Sequence, residues 1–205
     1  MTPTRLYLIR HGQTDWNLAA KLQGQTDIPL NETGRSQALE TKTLLDGVTF
    51  DAVYSSPLRR ALETAQLVTG LSPEQIHQEP NLIEISFGEW EGCNPQQLGE
   101  PFAPFFADTK RYKPTTDGET IEALTRRVAA FVAEVKAHHM GQTVLAVSHG
   151  AALHALLAHE LPTDDFWGIP LNNCAVAILE LEGDRFALKE VRSTQQSDYL
   201  AKYIK

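Results

Sequence analysis

The chain has 205 residues, 42% of them hydrophobic, and a formal net charge of −8, which suits one α/β domain, or one domain carrying an insertion, with a full core. That balance excludes the broad basic surface that nucleic acid or an anionic membrane favours, so any anionic ligand must be met by a local group of cations. Cys93 and Cys174 are too few for a disulfide framework, no signal-peptide pattern stands out, and no apolar run approaches the roughly 20 residues of a membrane span, so a cytoplasmic protein with reduced thiols is expected.

Leu6-Tyr7-Leu8-Ile9 is a short apolar run of large side chains, as in a buried strand, and it ends in Arg10-His11-Gly12. Thr14 to Ile28 is polar and without period, which predicts a loop over the strand end. Pro29 to Thr33 supplies helix-start residues, and Ala38, Leu39, Leu44 and Leu45 predict a crossover helix that stops at Gly47. A second strand is expected over Asp51 to Tyr54. Ser55-Ser56-Pro57 then forms a cap with proline in the first turn of a helix from about Leu58 to Val68. Leu58, Ala61, Leu62, Ala65 and Val68 share one face of that helix; Arg59 and Arg60 both fall off it, and periodicity does not choose between them.

A short apolar piece, Leu82-Ile83, precedes Glu84 and the acidic, aromatic stretch Phe87 to Gly92. From Pro95 to Asp117 the sequence is irregular, and a lid insertion at about residues 93–118 is expected. The longest helix follows on Ile121, Leu124, Val128, Phe131, Val132 and Val135. Thr143 to Ser148 repeats the first design, an apolar strand running into His149-Gly150 and a helix over Ala151 to Leu157. Cys174 to Leu181 and Phe186 to Val191 flank Glu182-Gly183-Asp184, a hairpin at the sheet edge. The last dozen residues are polar and read as a tail. Strands alternating with helices give a three-layer α/β/α fold with a central, mainly parallel sheet, functional groups gathering at the carboxyl ends of its strands.

At that edge the sequence places Arg10, His11, an arginine of the third element, His149 and the carboxyl of Glu84. Cations to hold an anion, an imidazole to attack it and an acid to protonate what leaves suit phosphoryl transfer. A neutral histidine can be the nucleophile because one ring nitrogen keeps its lone pair, and nearby guanidinium charges disfavour its protonation.

Leu8-Ile9-Arg10-His11-Gly12-Gln13-Thr14, with Trp16-Asn17 behind it, resembles the signature of the histidine phosphatase superfamily, in its phosphoglycerate mutase-like branch. Pro29 to Gly34, Ser55 to Ala65, Glu84 and Val147 to Gly150 follow in the family's order, so the likeness covers about residues 5–155. The resemblance implies that His11 is phosphorylated, that Arg10, Arg60 and His149 bind the transferring group, and that Glu84 protonates the leaving alcohol and then deprotonates water. Arg60 is preferred over Arg59 because the family arginine directly precedes the Ala61 position. Asn17, Gln23 and Gly24 from the first loop, with Gly150, would contact substrate or phosphate. No metal and no cofactor are implied; the partner is a small phosphorylated metabolite, and a homodimer remains an open option.

One departure bears on the reaction. Mutases of the family carry an arginine and a tyrosine around the acid to hold a second anionic group, whereas Glu84 to Gly92 offers apolar and acidic residues. Fewer fixed cations favour hydrolysis, so a phosphatase is expected; a phosphoglycerate mutase and a catalytically silent phosphate-binding module are the alternatives. Lys110, Arg111 and Lys113 fit a solvated face better than a phosphate clamp, and Phe102, Phe105 and Phe106 fit a lid core better than substrate stackers. His149, His154 and His159 recur every five residues, about 140° apart around a helix, and cannot share one metal.

Overall fold

The computed structural model describes residues 2–195. A six-stranded sheet, β1 (Arg5–Arg10), β2 (Ala52–Ser55), β3 (His77–Gln78), β4 (Thr143–Ser148), β5 (Val176–Glu182) and β6 (Arg185–Arg192), runs in the order β3-β2-β4-β1-β5-β6. The first four strands in that order are parallel, and the β5–β6 hairpin joins antiparallel at β1. The helices are α1 (Asp15–Leu18), α2 (Glu32–Leu44), α3 (Arg59–Thr69), α4 (Pro95–Leu98), α5 (Pro104–Ala107), α6 (Ile121–His138) and α7 (Gly150–Glu160).

Side chains alternate across a strand, and both faces of this sheet are covered. Leu6, Leu8, Val144 and Ala146 pack with Leu124, Val128 and Phe131 of α6 and Leu153 and Leu156 of α7. On the other face, Tyr7, Ile9, Leu145 and Val147 meet Ala38 of α2 and Ala61, Ala65 and Val68 of α3. The three-layer α/β/α architecture follows from this alternation. The segment expected to form a lid carries α4 and α5 and adds no strand to the sheet. Of the predicted tail, all but its first two residues lie outside the described ones.

Three local expectations are corrected. The loop after β1 holds a helical turn, α1, closed by a capping box in which the Thr14 hydroxyl and the Asn17 side chain serve each other's backbone N–H. Leu39 is half exposed rather than part of the buried stripe of α2. That stripe runs through Gly34, Gln37, Ala38 and Thr41, and Leu39 is turned away by one residue, about 100°. Its polar members are satisfied at the carboxyl edge of the sheet: Gln37 accepts from Gln13 N–H and Thr41 donates to the Cys174 carbonyl. The third correction concerns α3. Its N-cap is Leu58, which makes no side-chain cap bond, and Pro57 precedes the helix instead of starting it. The Ser56 hydroxyl takes only the Leu58 N–H at 3.3 Å, and its shorter contact, 2.7 Å, is with His149 Nε2.

Candidate active site

The parallel strands β1, β4 and β2 end side by side, with Arg10 opposite Ser148 and Ser55 opposite Val147. Each hands the chain directly to a polar residue: His11 after β1, His149 after β4, and Ser56 with the arginines of α3 after β2. Backbone bonds hold the ends in register, His11 N–H to the Ser148 carbonyl and Ser56 N–H to the Val147 carbonyl, both 2.9 Å. A cleft opens over this edge, lined by Arg10, His11, Asn17, Gln23, Gly24, Arg60, Glu84 and Gly150 among others.

His11 is buried, and its Nδ1 lies 2.7 Å from the carbonyl of Gly12. A carbonyl only accepts, so Nδ1 carries the proton and Nε2 keeps the lone pair. The surrounding backbone is fixed as well: Gly12 N–H donates to Thr64 Oγ1 and Asn173 Nδ2 donates to the His11 carbonyl.

Arg60 is fully buried, whereas Arg59 is exposed and paired with Asp27, which settles what periodicity left open. Each Arg60 guanidinium nitrogen has an acceptor: Nε donates to His149 Nδ1 (3.2 Å), Nη1 to the Thr26 carbonyl (2.8 Å) and Nη2 to the Gly24 carbonyl (2.7 Å). Burial lowers its pKa to about 10, while the negative charges of Glu84, Asp27 and Glu91 oppose that shift. It therefore remains a cation at neutral pH. Arg10, also buried, donates through Nη1 to the Leu171 carbonyl.

His149 stands behind the cleft rather than on its lining, its ring centroid 5.1 Å from that of His11. Burial above all, then the positive charges of Arg60 and its neighbours, holds its pKa well below the ordinary value of 6.5. The imidazole is thus neutral, accepting from Arg60 at Nδ1 and donating from Nε2 to Ser56. In this arrangement Arg10 and Arg60, not His149, supply the positive charge.

Glu84 reaches the cleft from the 3-10 turn Pro80–Leu82 and lies against the N-terminus of α7. Its Oε1 accepts from Ile85 N–H and Ala152 N–H, both at 3.0 Å, and Oε2 from Ala151 N–H at 3.2 Å. Gly150 lies at this junction, where an added Cβ would stand 3.7 Å from both Arg10 and Glu84. Asn17 and Gln23 face the same cleft, their amide oxygens sharing the single proton of the Thr14 hydroxyl.

The far wall is apolar. Leu22, Phe87, Phe105, Phe106, Ala151 and Trp167 line it, with Lys21 as a further cation. Phe102 is core, as expected, but Phe105 and Phe106 also face the cleft. The Trp167 indole donates to the Phe105 carbonyl and so ties the loop after α7 to α5. Lys110, Arg111 and Lys113 are exposed and line no part of the cleft. Sequence reasoning missed Lys21, Trp167, Thr64 and Asn173. It also missed Arg127, whose guanidinium grips Glu119 and the carbonyls of Asn81, Ile83 and Glu84. Thr64 lies on the buried face of α3 among apolar residues, where it reads as core, and Lys21, Trp167 and Asn173 lie in segments without period.

Comparison with known proteins agrees with this geometry. The chain is 35% identical to the uncharacterized phosphatase PhoE of Bacillus subtilis over 91% of its own length and 93% of that protein. It is 38% identical to the adenosylcobalamin/alpha-ribazole phosphatase of Salmonella typhimurium, covering 80% of this chain and 83% of the other. A crystal structure of phosphoserine phosphatase from Entamoeba histolytica in complex with 3-phosphoglyceric acid superposes with a TM-score of 0.83 at 32% identity, covering 94% of this chain and 98% of that one. With the histidine phosphatase superfamily (branch 1) matching residues 6–194, the chain belongs to that superfamily, and it is a phosphoric monoester hydrolase.

Proposed function

We propose that hydrolysis runs through a phosphohistidine on His11. The observation that carries this reading is the tether of Nδ1 to the Gly12 carbonyl, which leaves the lone pair on Nε2, in a ring lining the same cleft as Arg10, Arg60 and Glu84. Nε2 attacks phosphorus, the P–O bond to the alcohol breaks, and Glu84 gives its proton to the departing oxygen. Oε2 accepts one N–H where Oε1 accepts two, so Oε2 is the oxygen with room for that proton. Water then attacks phosphorus, its proton passes to Glu84, the P–N bond breaks and phosphate leaves. Arg10 and Arg60 neutralise the equatorial oxygens throughout, with His149 holding Arg60 through Nε. Asn17, Gln23, Gly24 and Gly150 shape the phosphate end, and residues 93–118 act as a lid insertion on a single domain spanning 1–205.

The apolar far wall suits the alcohol half of a small phosphorylated metabolite. The relatives named for phosphoserine and alpha-ribazole phosphate hydrolysis set the scale of such substrates. Hydrolysis is favoured over phosphoglycerate mutation because the insertion cations Lys110, Arg111 and Lys113 stand away from the cleft. The charge-neutralising arginines support a metal-independent reaction, and the free thiols of Cys93 and Cys174 suit the cytoplasm. The test is a panel of phosphomonoesters assayed with a strong chelator, together with 3-phosphoglycerate plus a trace of bisphosphoglycerate. Phosphate release that is indifferent to the chelator and faster than isomer formation is expected. Isomerisation outpacing release, or activity lost on chelation and restored by metal, would overturn the reading.

A further inference from the structure

We propose that Glu91, which has no part in the chemistry above, is a positioning residue for Arg60 and thereby sets the grip on the phosphoryl group. The inference rests on the phosphatase reading, in that Arg60 is taken to bind the anion. Glu91 follows the 3-10 turn Gly88–Trp90 and reaches across to the loop after α1. Its Oε1 accepts from Gln25 N–H (2.9 Å) and Phe87 N–H (3.2 Å); Oε2 accepts from Thr26 N–H (2.9 Å) and from the Thr26 hydroxyl.

The backbone it grips carries the carbonyls that orient the guanidinium: Thr26 is bonded directly, and the Gln25 N–H belongs to the same peptide unit as the Gly24 carbonyl. Arg60 donates to Gly24 O and Thr26 O, one on each side of Gln25. The carboxylate sits so close that a Cβ on Gly24, whose φ is +52°, would lie 2.0 Å from Glu91 Oε1. Glycine at 24 therefore serves the approach of this side chain as well as the left-handed backbone. Glu91 also places a negative charge near a fully buried cation that would otherwise be disfavoured. Four donors on one carboxylate leave no orientation of an amide that satisfies them all, because a glutamine NH2 would face N–H or O–H groups.

A strut that merely stiffened the loop would lower stability without acting through Arg60. The deciding experiment is isothermal titration of the full chain with inorganic orthophosphate, for wild type, Glu91→Gln, Arg60→Lys and the double variant. Orthophosphate binding needs no turnover. Glu91→Gln is expected to weaken phosphate binding at least tenfold in the wild-type background and less than twofold in the Arg60→Lys background, because the effect travels through the guanidinium. Glu91→Asp, which keeps the charge and all acceptor sites, is expected to recover part of the loss, and it takes the place of Glu91→Gln in the cycle should the amide variant not fold. Equal weakening in both backgrounds, or wild-type affinity in the variant, overturns the role of Glu91 alone. A wild-type chain that neither binds orthophosphate nor releases it from an ester overturns the phosphatase reading itself.

Discussion

A histidine becomes a nucleophile at neutral pH when its proton is held on the nitrogen that does not react. In the proposed reaction the Gly12 carbonyl does this for His11. Glu84 is proposed to have the opposite task of moving a proton, and its oxygens differ in how many backbone donors they meet. If it is the general acid, Glu84→Gln should slow alkyl phosphates about a hundredfold or more, and nitrophenyl phosphate by less than about tenfold, since a good leaving group needs little protonation. Steady-state kcat/KM on the two esters checks this; equal slowing would assign the acid elsewhere. His11, Arg10 and Glu84 were legible because each interrupts or follows an apolar run with a group a core does not want. Ser56 was misread as a cap because a serine before a helix is a good cap in most settings, and nothing local in the sequence reveals the imidazole that competes for it.

At the scale of elements, the site depends on how neighbouring segments fasten Glu84 against α7. Arg127 of α6 is the main fastener, donating to the carbonyls of Asn81 and Ile83 (2.9 and 2.5 Å) and Glu84 (3.0 Å) while pairing with Glu119 through two nitrogens at 2.8 Å. Both partners of that pair are mostly buried. Arg127→Met should therefore cost about 3 kcal/mol, because Glu119 is left as an uncompensated carboxylate, and adding Glu119→Met should return part of the loss. Urea denaturation of the two variants reads this directly, and an unchanged midpoint in Arg127→Met would contradict it. The long helices and the strands were legible because their periods of 3.6 and 2 extend over enough residues to stand out. Helix α1, four residues long, and strand β3, two residues long, are too brief for any period. Arg127 lies off the apolar stripe of α6, where sequence alone does not separate a fastener from a solvated cation.

For the whole molecule, a chain of net charge −8 concentrates its useful positive charge in one cleft, and burial keeps nearby imidazoles neutral. His154, fully buried beneath that cleft, has its pKa lowered to about 4, mainly by desolvation, and His149 is held well below its ordinary value by burial first and then by the arginines. In the unfolded chain both titrate near 6.5, so below that pH the unfolded state binds more protons than the folded one. Stability is then complete above about pH 6.5 and falls below it, for His154 by about 1.4 kcal/mol per pH unit towards pH 4, with His149 adding to the loss. Thermal or urea unfolding between pH 7 and pH 4 measures the slope, and His154→Leu should make it shallower by about 1.4 kcal/mol per pH unit. A flat profile over that range would contradict the buried, neutral assignment. Architecture at this scale was largely open to sequence reasoning, because β1 and β4 repeat one pattern and burial on both faces demands helices on both sides. The aromatic wall was not, since Phe105, Phe106 and Trp167 come from segments without period that meet only in the fold.

The central claim is that His11 carries the phosphoryl group between ester and water. Rapid quenching of the enzyme with a radiolabelled phosphomonoester, followed by peptide mapping, tests it most directly. An acid-labile, alkali-stable label on the peptide containing His11, formed at the rate of turnover and absent from His11→Ala, is the predicted result. A label that survives acid, or that persists in His11→Ala, would contradict it.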